Sequence, residues 1–268
     1  MPMTSLALTL GTAAAIGAAC WILSLVSKDY SWVDRVWSIA PFVYAWEALI
    51  GHFSARGFVM AVLATAWGVR LTYNFARKGG YSGQEDYRWG VLRARMSPWQ
   101  FQLFNIAFIV IYQNALLWLI ATPASVAAAH RRSLNVVDLL LAVLFLLLLA
   151  GETIADQQQW NFHRAKKAAS VAGKPLQSPF CTSGLFRYSR HPNYFCEIAQ
   201  WWVFCLFGLN ALGGAASWLW FAPLLLTLLF VGSTHFTETI SLSKYPSYVD
   251  YQRRVSAIIP WFEKRRTA

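Results

Sequence analysis

The sequence predicts an all-α integral membrane protein, a bundle of about seven transmembrane helices. Its composition is the first reason, because 57% of the 268 residues are hydrophobic and only 13% are charged, whereas soluble domains are roughly 45–50% apolar. The second reason is a series of apolar segments, each about as long as one membrane span. These segments lie near 5–27, 33–51, 57–76, 99–121, 134–155, 195–212 and 215–234.

The basic residues are distributed unevenly between the two ends of these segments, which predicts the orientation. One side receives Lys28, Arg35, the loops 77–98 and 157–193 and the C-terminal tail, and the other receives only Arg56, Arg131 and Arg132. By the positive-inside rule the N-terminus lies outside and the C-terminus in the cytoplasm, so the active site faces the cytoplasm. The host membrane is then a bacterial inner membrane or the endoplasmic reticulum.

The first segment lacks a basic leader and is as long as a full span, which favours a retained helix over a cleaved signal peptide. Pro98, Pro123 and Pro223 are predicted to mark the ends of spans, and Gly213-Gly214 a tight turn between the last two. We expect residues 1–268 to form a single membrane domain, in which residues 150–268 supply the cofactor-binding half.

Composition also argues against several functions. The net charge of +11 does not predict nucleic-acid binding, because the basic residues lie in the gaps between apolar segments. The four cysteines form no CxxC pair, so neither a disulfide framework nor a metal site is predicted. No P-loop, GxGxxG motif or nucleophile elbow occurs. A dinucleotide would have to be bound in a non-Rossmann way.

The densest polar cluster, residues 184–197, leads directly into the sixth apolar segment. Arg187 and Arg190 offer planar groups for phosphate or carboxylate, and His191 and Asn193 can orient a polar ring. The alternative is that the arginines merely flank a span and reach toward headgroups. Glu197 lies about one turn inside the span, where a carboxylate is a functional candidate by default.

A second cluster continues the fifth span outward as a helix. Glu152, Asp156, Gln159 and His163 recur at helical spacing and share one face. Carboxylates and amides on one face suit the recognition of ribose or of an amide. The alternative is an amphipathic helix that emerges into water.

A third cluster follows the last span. Tyr245, Tyr248 and Tyr251 are spaced by three and lie on a common helical side, and Arg253 follows them. Interfacial tyrosines are ordinary in membrane proteins, so Glu238 is the stronger signal.

The N-terminal half carries a smaller set of polar candidates. Asp34 and Arg70 could pair across two helices as a structural salt bridge. Alternatively, an acid at this depth could stay protonated and donate to a carbonyl. Arg77 and Lys78 begin the loop that follows the third span.

Three stretches together resemble the C-terminal signature of the steroid 5-alpha-reductase superfamily, and most closely its bacterial and plant branch of uncharacterised membrane proteins. They are Gly184 to Glu197, Tyr245-Pro246-Ser247-Tyr248 and Ser256-Ala257-Ile258-Ile259-Pro260. The resemblance covers about 150–268 and is traceable before that. The core Arg190-His191-Pro192-x-Tyr194 is also similar to that of isoprenylcysteine carboxyl methyltransferases, so it indicates the superfamily rather than the reaction.

The resemblance implies a seven-helix bundle that holds NADPH and passes hydride to an activated carbon–carbon double bond of a lipid. It implies that Asn193 lies beside the nicotinamide and Asp156 on the cofactor wall. It places Arg77 and Lys78 in the region of the phosphate-binding arginines. Asp34 stands where the reductases carry the glutamate that polarises the substrate carbonyl. The pattern departs from the family at Val33, which replaces a glutamine, and at Trp67, near the position of a catalytic tyrosine.

The leading hypothesis is therefore an NADPH-dependent membrane reductase of a lipid or steroid-like enone. The alternatives are a membrane methyltransferase that uses S-adenosylmethionine and a non-enzymatic lipid-binding protein whose buried charges are paired scaffolding. The predicted catalytic residues are Asp34, Trp67 and Glu197. The predicted cofactor-binding residues are Arg70, Arg77, Lys78, Asp156, Arg187, Arg190, His191, Asn193, Tyr194, Glu238, Tyr245, Tyr248 and Arg253.

Overall fold

A computed structural model describes residues 3–264 apart from 84, 131, 175, 177 and 215–217. Of the described residues, 76% are helical and none lies in a strand. The predicted all-helical class is confirmed. The helices run along the chain as α1 Met3–Ser27, α2 Trp32–Val36, α3 Ala40–Glu47, α4 Ala55–Arg77, α5 Tyr87–Arg93, α6 Pro98–Phe104, a π-helical segment Asn105–Tyr112, α7 Gln113–Ala129, α8 Val136–Val171, α9 Pro192–Leu212, α10 Phe221–Lys244 and α11 Tyr248–Arg254.

Five stretches among the described residues are long and apolar enough to cross a membrane. They are Leu6–Ser27, Pro98–Ala129, Val136–Val171, Pro192–Leu212 and Trp218–Lys244. These five helices fit a multi-pass membrane protein.

The other two predicted spans differ from the five in ways that the apolar pattern does not reveal. The segment 33–51 is divided between α2 and α3, and Pro41 lies in the first turn of the second of these helices. The segment 57–76 lies in α4, a helix of 23 residues that carries Arg70 and Asn74 in its second half.

The chain forms two compact units. Unit 1 comprises residues 1–145 and 202–225, and unit 2 comprises residues 146–201 and 226–268. The unit boundaries therefore fall within α8, α9 and α10. The prediction of a cofactor-binding half at 150–268 stays a prediction.

The core of unit 1 is built where α3 packs against α1, α4 and α7. Tyr44, Trp67 and Leu117 are among its largest fully buried side chains. Gly68 allows α4 to approach the connection between α2 and α3, because a Cβ at this position would lie 2.4 Å from the Ser38 carbonyl oxygen.

Hydrogen bonds identify which helix ends of unit 1 lie together. At one end the hydroxyl of Ser54, which caps α4, donates to the Ala127 carbonyl (2.9 Å), and Arg56 pairs with Asp138 at the start of α8 (2.7 Å). At another end the Gln102 amide in α6 donates to the Tyr30 hydroxyl (2.8 Å). The α3–α4 connection thus lies beside the α7–α8 connection, and the start of α2 lies beside α6.

The prediction that Pro123 ends a span is wrong, because this residue lies inside α7. A proline has no N–H and leaves the carbonyl four residues earlier without its helical donor. The Thr122 hydroxyl donates to that carbonyl, of Leu119, at 2.6 Å. The predicted turn at Gly213-Gly214 is confirmed, since both glycines have positive φ angles, 85° and 83°.

Unit 2 contains the parts of α8, α9 and α10 beyond these boundaries, together with α11 and the intervening segments. As predicted, α8 continues as a helix through the second polar cluster, to Val171. The backbone at the start of α9 pairs with the segment after α11. Arg190 N–H donates to Ser256 O (2.8 Å), and His191 N–H donates to Ala257 O (3.0 Å). Residues 184–197 and 256–260, two of the three stretches that resemble the reductase superfamily, are therefore in contact.

Candidate functional site

Glu238 is the centre of a hydrogen-bonded network in unit 2. Its carboxylate accepts from Arg190 Nε (2.6 Å) and Nη2 (2.9 Å) and from the Gln252 amide (2.7 Å). It also lies 3.1 Å from His191 Nε2 and accepts from the Tyr248 hydroxyl (3.3 Å). Four of these five residues were predicted to belong to the site. Gln252 was not predicted, because a lone glutamine on a polar helix carries no distinguishing signal.

All three guanidinium nitrogens of Arg190 donate to neighbouring residues. In addition to Glu238, it donates through Nη1 to the carbonyls of Gln252 (3.1 Å) and Val255. The side chains of Arg190 and Glu238 are only 9% and 8% exposed. Arg190 therefore links the start of α9 to α10 and α11.

Tyr248 and Tyr251 extend this network on α11. Burial raises the pKa of Tyr248, and the neighbouring Glu238 carboxylate raises it further, so the hydroxyl stays protonated and donates. Tyr251 donates to the Phe186 carbonyl, and the Phe180 ring stacks on Tyr251 at 5.4 Å. Sequence reasoning missed Phe180, which lies in a segment without a periodic pattern.

An aromatic stack lies beside the Glu238 network. The ring of His191 stacks on Tyr194 with centroids 5.1 Å apart, and Tyr194 meets Phe230 edge-on at 4.8 Å. The imidazole is thus held between a carboxylate and an aromatic ring, which fixes its orientation.

A second group of polar side chains joins α8 to α9, and we call it the polar seam. Its members recur at i, i+4 and i+7 on each helix and so form one stripe per helix. They are Glu152, Asp156 and Gln159 on α8 and Asn193, Glu197 and Gln200 on α9. Gln200 was not predicted, because it lies among apolar residues in the middle of a span.

Two direct contacts connect the stripes. The Asn193 amide donates to Asp156 at 3.4 Å, and the Gln200 amide donates to Glu152 at 2.7 Å. Glu197 lies between Asn193 and Gln200 in sequence and is 6% exposed. The seam therefore brings three predicted site residues, Asp156, Asn193 and Glu197, onto the same pair of helices.

Several polar atoms in unit 2 are buried and have no hydrogen-bond partner among the described residues. They are Oε1 of Gln159 and Gln200 and the hydroxyls of Thr234 and Thr237. A buried polar group without a partner is destabilising by about 1–3 kcal/mol. These atoms leave hydrogen-bonding capacity for a polar ligand.

The turn before α9 is fixed to α8 by a close contact. The Gln158 amide oxygen accepts from Leu185 N–H at 2.9 Å. Gly184 has a φ of 63°, and a Cβ there would lie 2.5 Å from the Gln158 amide. The positive φ angle favours glycine at this position, and any side chain there would also displace the Gln158 amide that accepts from Leu185 N–H.

The other predicted cations of unit 2 lie at the surface. Arg187 is 66% exposed and lies 3.6 Å from Glu263, and Arg253 is 75% exposed and lies 3.8 Å from Asp250. Exposed pairs of this kind contribute little stability. Tyr245 accepts a hydrogen bond from Lys166 (2.9 Å).

The predicted site residues of the N-terminal half all lie in unit 1. The Asp34 carboxylate accepts from the Trp89 indole N–H at 2.8 Å. Trp89 was not predicted, since it is distant in sequence and lies in a loop helix. On α4, Trp67 is fully buried and Arg70 is half-buried, and Lys78 is exposed at the helix end.

Arg77 lies near the end of α4 and is oriented by its neighbours. Its Nε donates to the Asn74 amide oxygen at 3.0 Å, and the guanidinium lies over the Tyr73 ring at 5.5 Å. Arg77 is the last residue of α4 and Lys78 follows it, so the two place positive charge at this helix end. Their predicted role in phosphate binding stays a prediction.

Comparison with known proteins identifies the family of the chain and leaves its reaction open. The chain belongs to the family described as "Protein of unknown function (DUF1295)", which matches residues 20–255. It is 38% identical over 263 residues to the "Uncharacterized protein C594.04c" of the fission yeast Schizosaccharomyces pombe, an alignment that covers 91% of this chain and 76% of that protein. No solved structure matches this chain.

Proposed function

We propose that the protein is a multi-pass membrane enzyme that reduces an activated carbon–carbon double bond of a lipid with NADPH. The polar seam between α8 and α9 is the observation that carries this proposal. Burial of Glu152 (1% exposed) and Asp156 (4% exposed) within an apolar helix is costly. A cofactor with polar groups on one side would form hydrogen bonds with these carboxylates. The resemblance to the steroid 5-alpha-reductase superfamily supports the choice of NADPH as this cofactor.

The residues of unit 2 fit a dinucleotide. Asp156 accepts hydrogen bonds, as a ribose hydroxyl requires, and Asn193 both donates and accepts, as a carboxamide requires. The unpartnered oxygens of Gln159 and Gln200 extend this surface. Arg187 and Arg253 are exposed cations that can bind phosphate. NADPH, when bound, supplies the hydride, and the protein supplies binding and orientation.

The residues of unit 1 are proposed to serve the acceptor and the phosphates. Asp34 polarises the acceptor carbonyl, and the Trp89 N–H holds its carboxyl group in one orientation. Trp67 and Glu197 complete the proposed catalytic set. Arg70, Arg77 and Lys78 are the proposed cations for the phosphates. The steroid reductases carry a glutamine where this chain has Val33, and a catalytic tyrosine near the position of Trp67. Because both residues differ here, we propose an acceptor other than a steroid 3-ketone.

The proposed topology has an external N-terminus, a cytoplasmic C-terminus and seven crossings. Five or seven crossings both place the termini on opposite sides, because both numbers are odd. Helices α6 and α7 are the two ends of one candidate span. Since the start of α2 lies beside α6 and the α3–α4 connection lies beside the end of α7, α3 and α4 are proposed as a further pair of crossings. The membrane is proposed to be a bacterial inner membrane or the endoplasmic reticulum.

The first test is a thermal-shift titration of the detergent-purified protein with NADPH, NADH and S-adenosylmethionine. A ligand that binds only the folded state raises the apparent stability. We expect selective stabilisation by NADPH. Stabilisation by S-adenosylmethionine alone would replace the reductase with the methyltransferase, and no response to any of the three would favour the non-enzymatic lipid-binding protein.

Two variants separate the proposed roles. Asn193→Ala should abolish the NADPH response. Asn161→Ala removes an exposed asparagine of α8 whose amide oxygen accepts from Gln157 (2.8 Å), and it should retain the response. Asp34→Asn keeps an oxygen for the Trp89 N–H, so it should abolish lipid reduction and largely preserve NADPH affinity. Unchanged turnover in Asp34→Asn would refute the catalytic role.

A further inference from the structure

The interior of unit 1 contains a second set of buried polar atoms that the proposed function does not use. Among the described residues, no hydrogen-bond partner exists for the Tyr44 hydroxyl, Oε2 of Glu47, Oδ1 of Asn105, Oε1 of Gln113 or Oδ1 of Asn114. Tyr44 is 2% exposed, and the three amide side chains are at most 4% exposed. These residues lie on α3, the π-helical segment and α7.

The contacts of α1 show that this set belongs to one helical interior. Thr12 donates to Oε1 of Glu47 at 2.7 Å. Five residues further along α1, a Cβ on Gly17 would lie 3.8 Å from the Asn114 side chain. Helix α3 itself packs against both α1 and α7. The side chains of Glu47 and Asn114 therefore both lie against α1, at positions five residues apart along it.

The orientation of the asparagines is determined by their neighbours. The Asn114 amide nitrogen donates to the Val110 carbonyl at 2.8 Å, and a carbonyl can only accept. The Asn105 nitrogen donates to the Ser24 hydroxyl at 3.1 Å, whose own hydrogen is used on the Trp21 carbonyl. The free atom of each asparagine is consequently an acceptor, and a ligand there has to bring a hydrogen-bond donor.

Tyr44 adds a donor to this set of acceptors. It precedes Glu47 by three residues on α3, so the two side chains lie on the same helical side. Only a group that accepts from Tyr44 and donates to Glu47 satisfies both at once. An alcohol does so, whereas a ketone has no hydrogen to donate and an ammonium has no lone pair to accept.

We infer that the interior of unit 1 binds the hydroxyl group of a lipid alcohol, with Tyr44 as donor and Glu47 as acceptor. The apolar helices around the site contact the hydrocarbon part. The inference does not rest on the proposed reductase activity, since the residues that bind the hydroxyl are separate from Asp156 and Asn193.

The test compares matched lipids on the detergent-purified full-length protein. Hexadecanol and cholestanol are titrated in thermal-shift measurements beside the methyl ether of hexadecanol and cholestanone, which lack the donor hydrogen. We expect the two alcohols to raise the melting temperature and the ether and ketone to fail. Tyr44→Phe should weaken the alcohol response about fivefold, the effect of losing one neutral hydrogen bond, and leave any NADPH response unchanged.

The melting temperature without ligand distinguishes a binding role for Tyr44 from a structural one. Removing an unpartnered buried hydroxyl should leave the melting temperature of Tyr44→Phe unchanged or higher. Tyr112→Phe is the matched control, because its hydroxyl donates to the Leu225 carbonyl at 3.2 Å and its loss should lower that temperature. A lowered melting temperature in Tyr44→Phe together with an unchanged alcohol response would overturn the inference, as would equal binding of cholestanol and cholestanone.

Discussion

Replacing Glu238 by glutamine should destabilise the protein strongly while leaving the shape of the side chain intact. The substitution removes the negative charge opposite Arg190, whose side chain is 9% exposed. It also turns one of the two oxygens that receive Arg190 into a donor, which faces the guanidinium N–H groups. Breaking a buried pair from one side typically costs about 3–5 kcal/mol. At about 2 °C or more per kcal/mol, this lowers the melting temperature by about 6 °C or more.

The four cysteines provide the assay for this variant. Cys20, Cys181, Cys196 and Cys205 are free and buried, so a thiol-reactive fluorogenic dye reports their exposure on heating. Asp250→Asn is the matched control, because it removes the carboxylate of a pair whose side chains are 65% and 75% exposed. Such exposed pairs are worth about 0–1 kcal/mol.

The reasoning would be refuted if the free energy of unfolding of Glu238→Gln lay within about 1 kcal/mol of that of the control, which is the range expected of an exposed pair. That result would mean that Arg190 finds sufficient partners in the backbone carbonyls of Gln252 and Val255. A second substitution, Arg190→Met, made in the Glu238→Gln background, tests the coupling. It should recover part of the loss, because the unpaired buried charge is then absent.

Three further predictions concern stability, topology and packing in unit 1. Arg56→Met leaves Asp138 without its buried counter-ion at 2.7 Å and should lower stability by about 3 kcal/mol in the same thermal assay; a neutral effect would mean that the pair is replaceable by apolar packing. Leu134→Cys, in the α7–α8 connection, should react with a membrane-impermeant maleimide on intact cells, whereas Arg253→Cys should react only after permeabilisation; the reverse pattern would invert the proposed topology. Gly68→Ala introduces a Cβ 2.4 Å from a backbone oxygen, so it should lower the melting temperature, and an unchanged value would show that α4 can shift.

The sequence was sufficient for the parts of the fold and site that depend on local pattern. Apolar segments of one span length predicted the long helices, and helical spacing placed Glu152 and Asp156 on one face. The motif around Arg190 and His191 was predicted to be functional, and the structure joins it to Glu238. The predicted long helices and the shared face on α8 are confirmed, because apolar length and helical spacing are local properties of a sequence. The functional role of the motif stays a prediction.

The remaining features depend on contacts that no local pattern encodes. Gln200 and Gln252 gain significance only because α9 and α11 present them to Glu152 and Glu238. The division of the second apolar segment into α2 and α3 was missed, because an apolar run has the same composition whether its backbone is straight or bent. Gly68, on α4, packs against the connection between α2 and α3. This contact joins residues distant in sequence, so no local pattern predicts it.

The residues that bind Arg190 all follow it in the chain, so they are synthesised after it. Glu238 follows Arg190 by 48 residues, and Val255 follows it by 65. When α9 enters the bilayer, the arginine at its start therefore has none of its final partners, because they have not yet been translated. Under the proposed topology, lipid phosphates at the cytoplasmic surface are suitable temporary counter-ions, which the partners supplied by α10 and α11 later displace. Under that topology, the docking of α10 and α11 exchanges lipid ligands for protein ligands around a single guanidinium group.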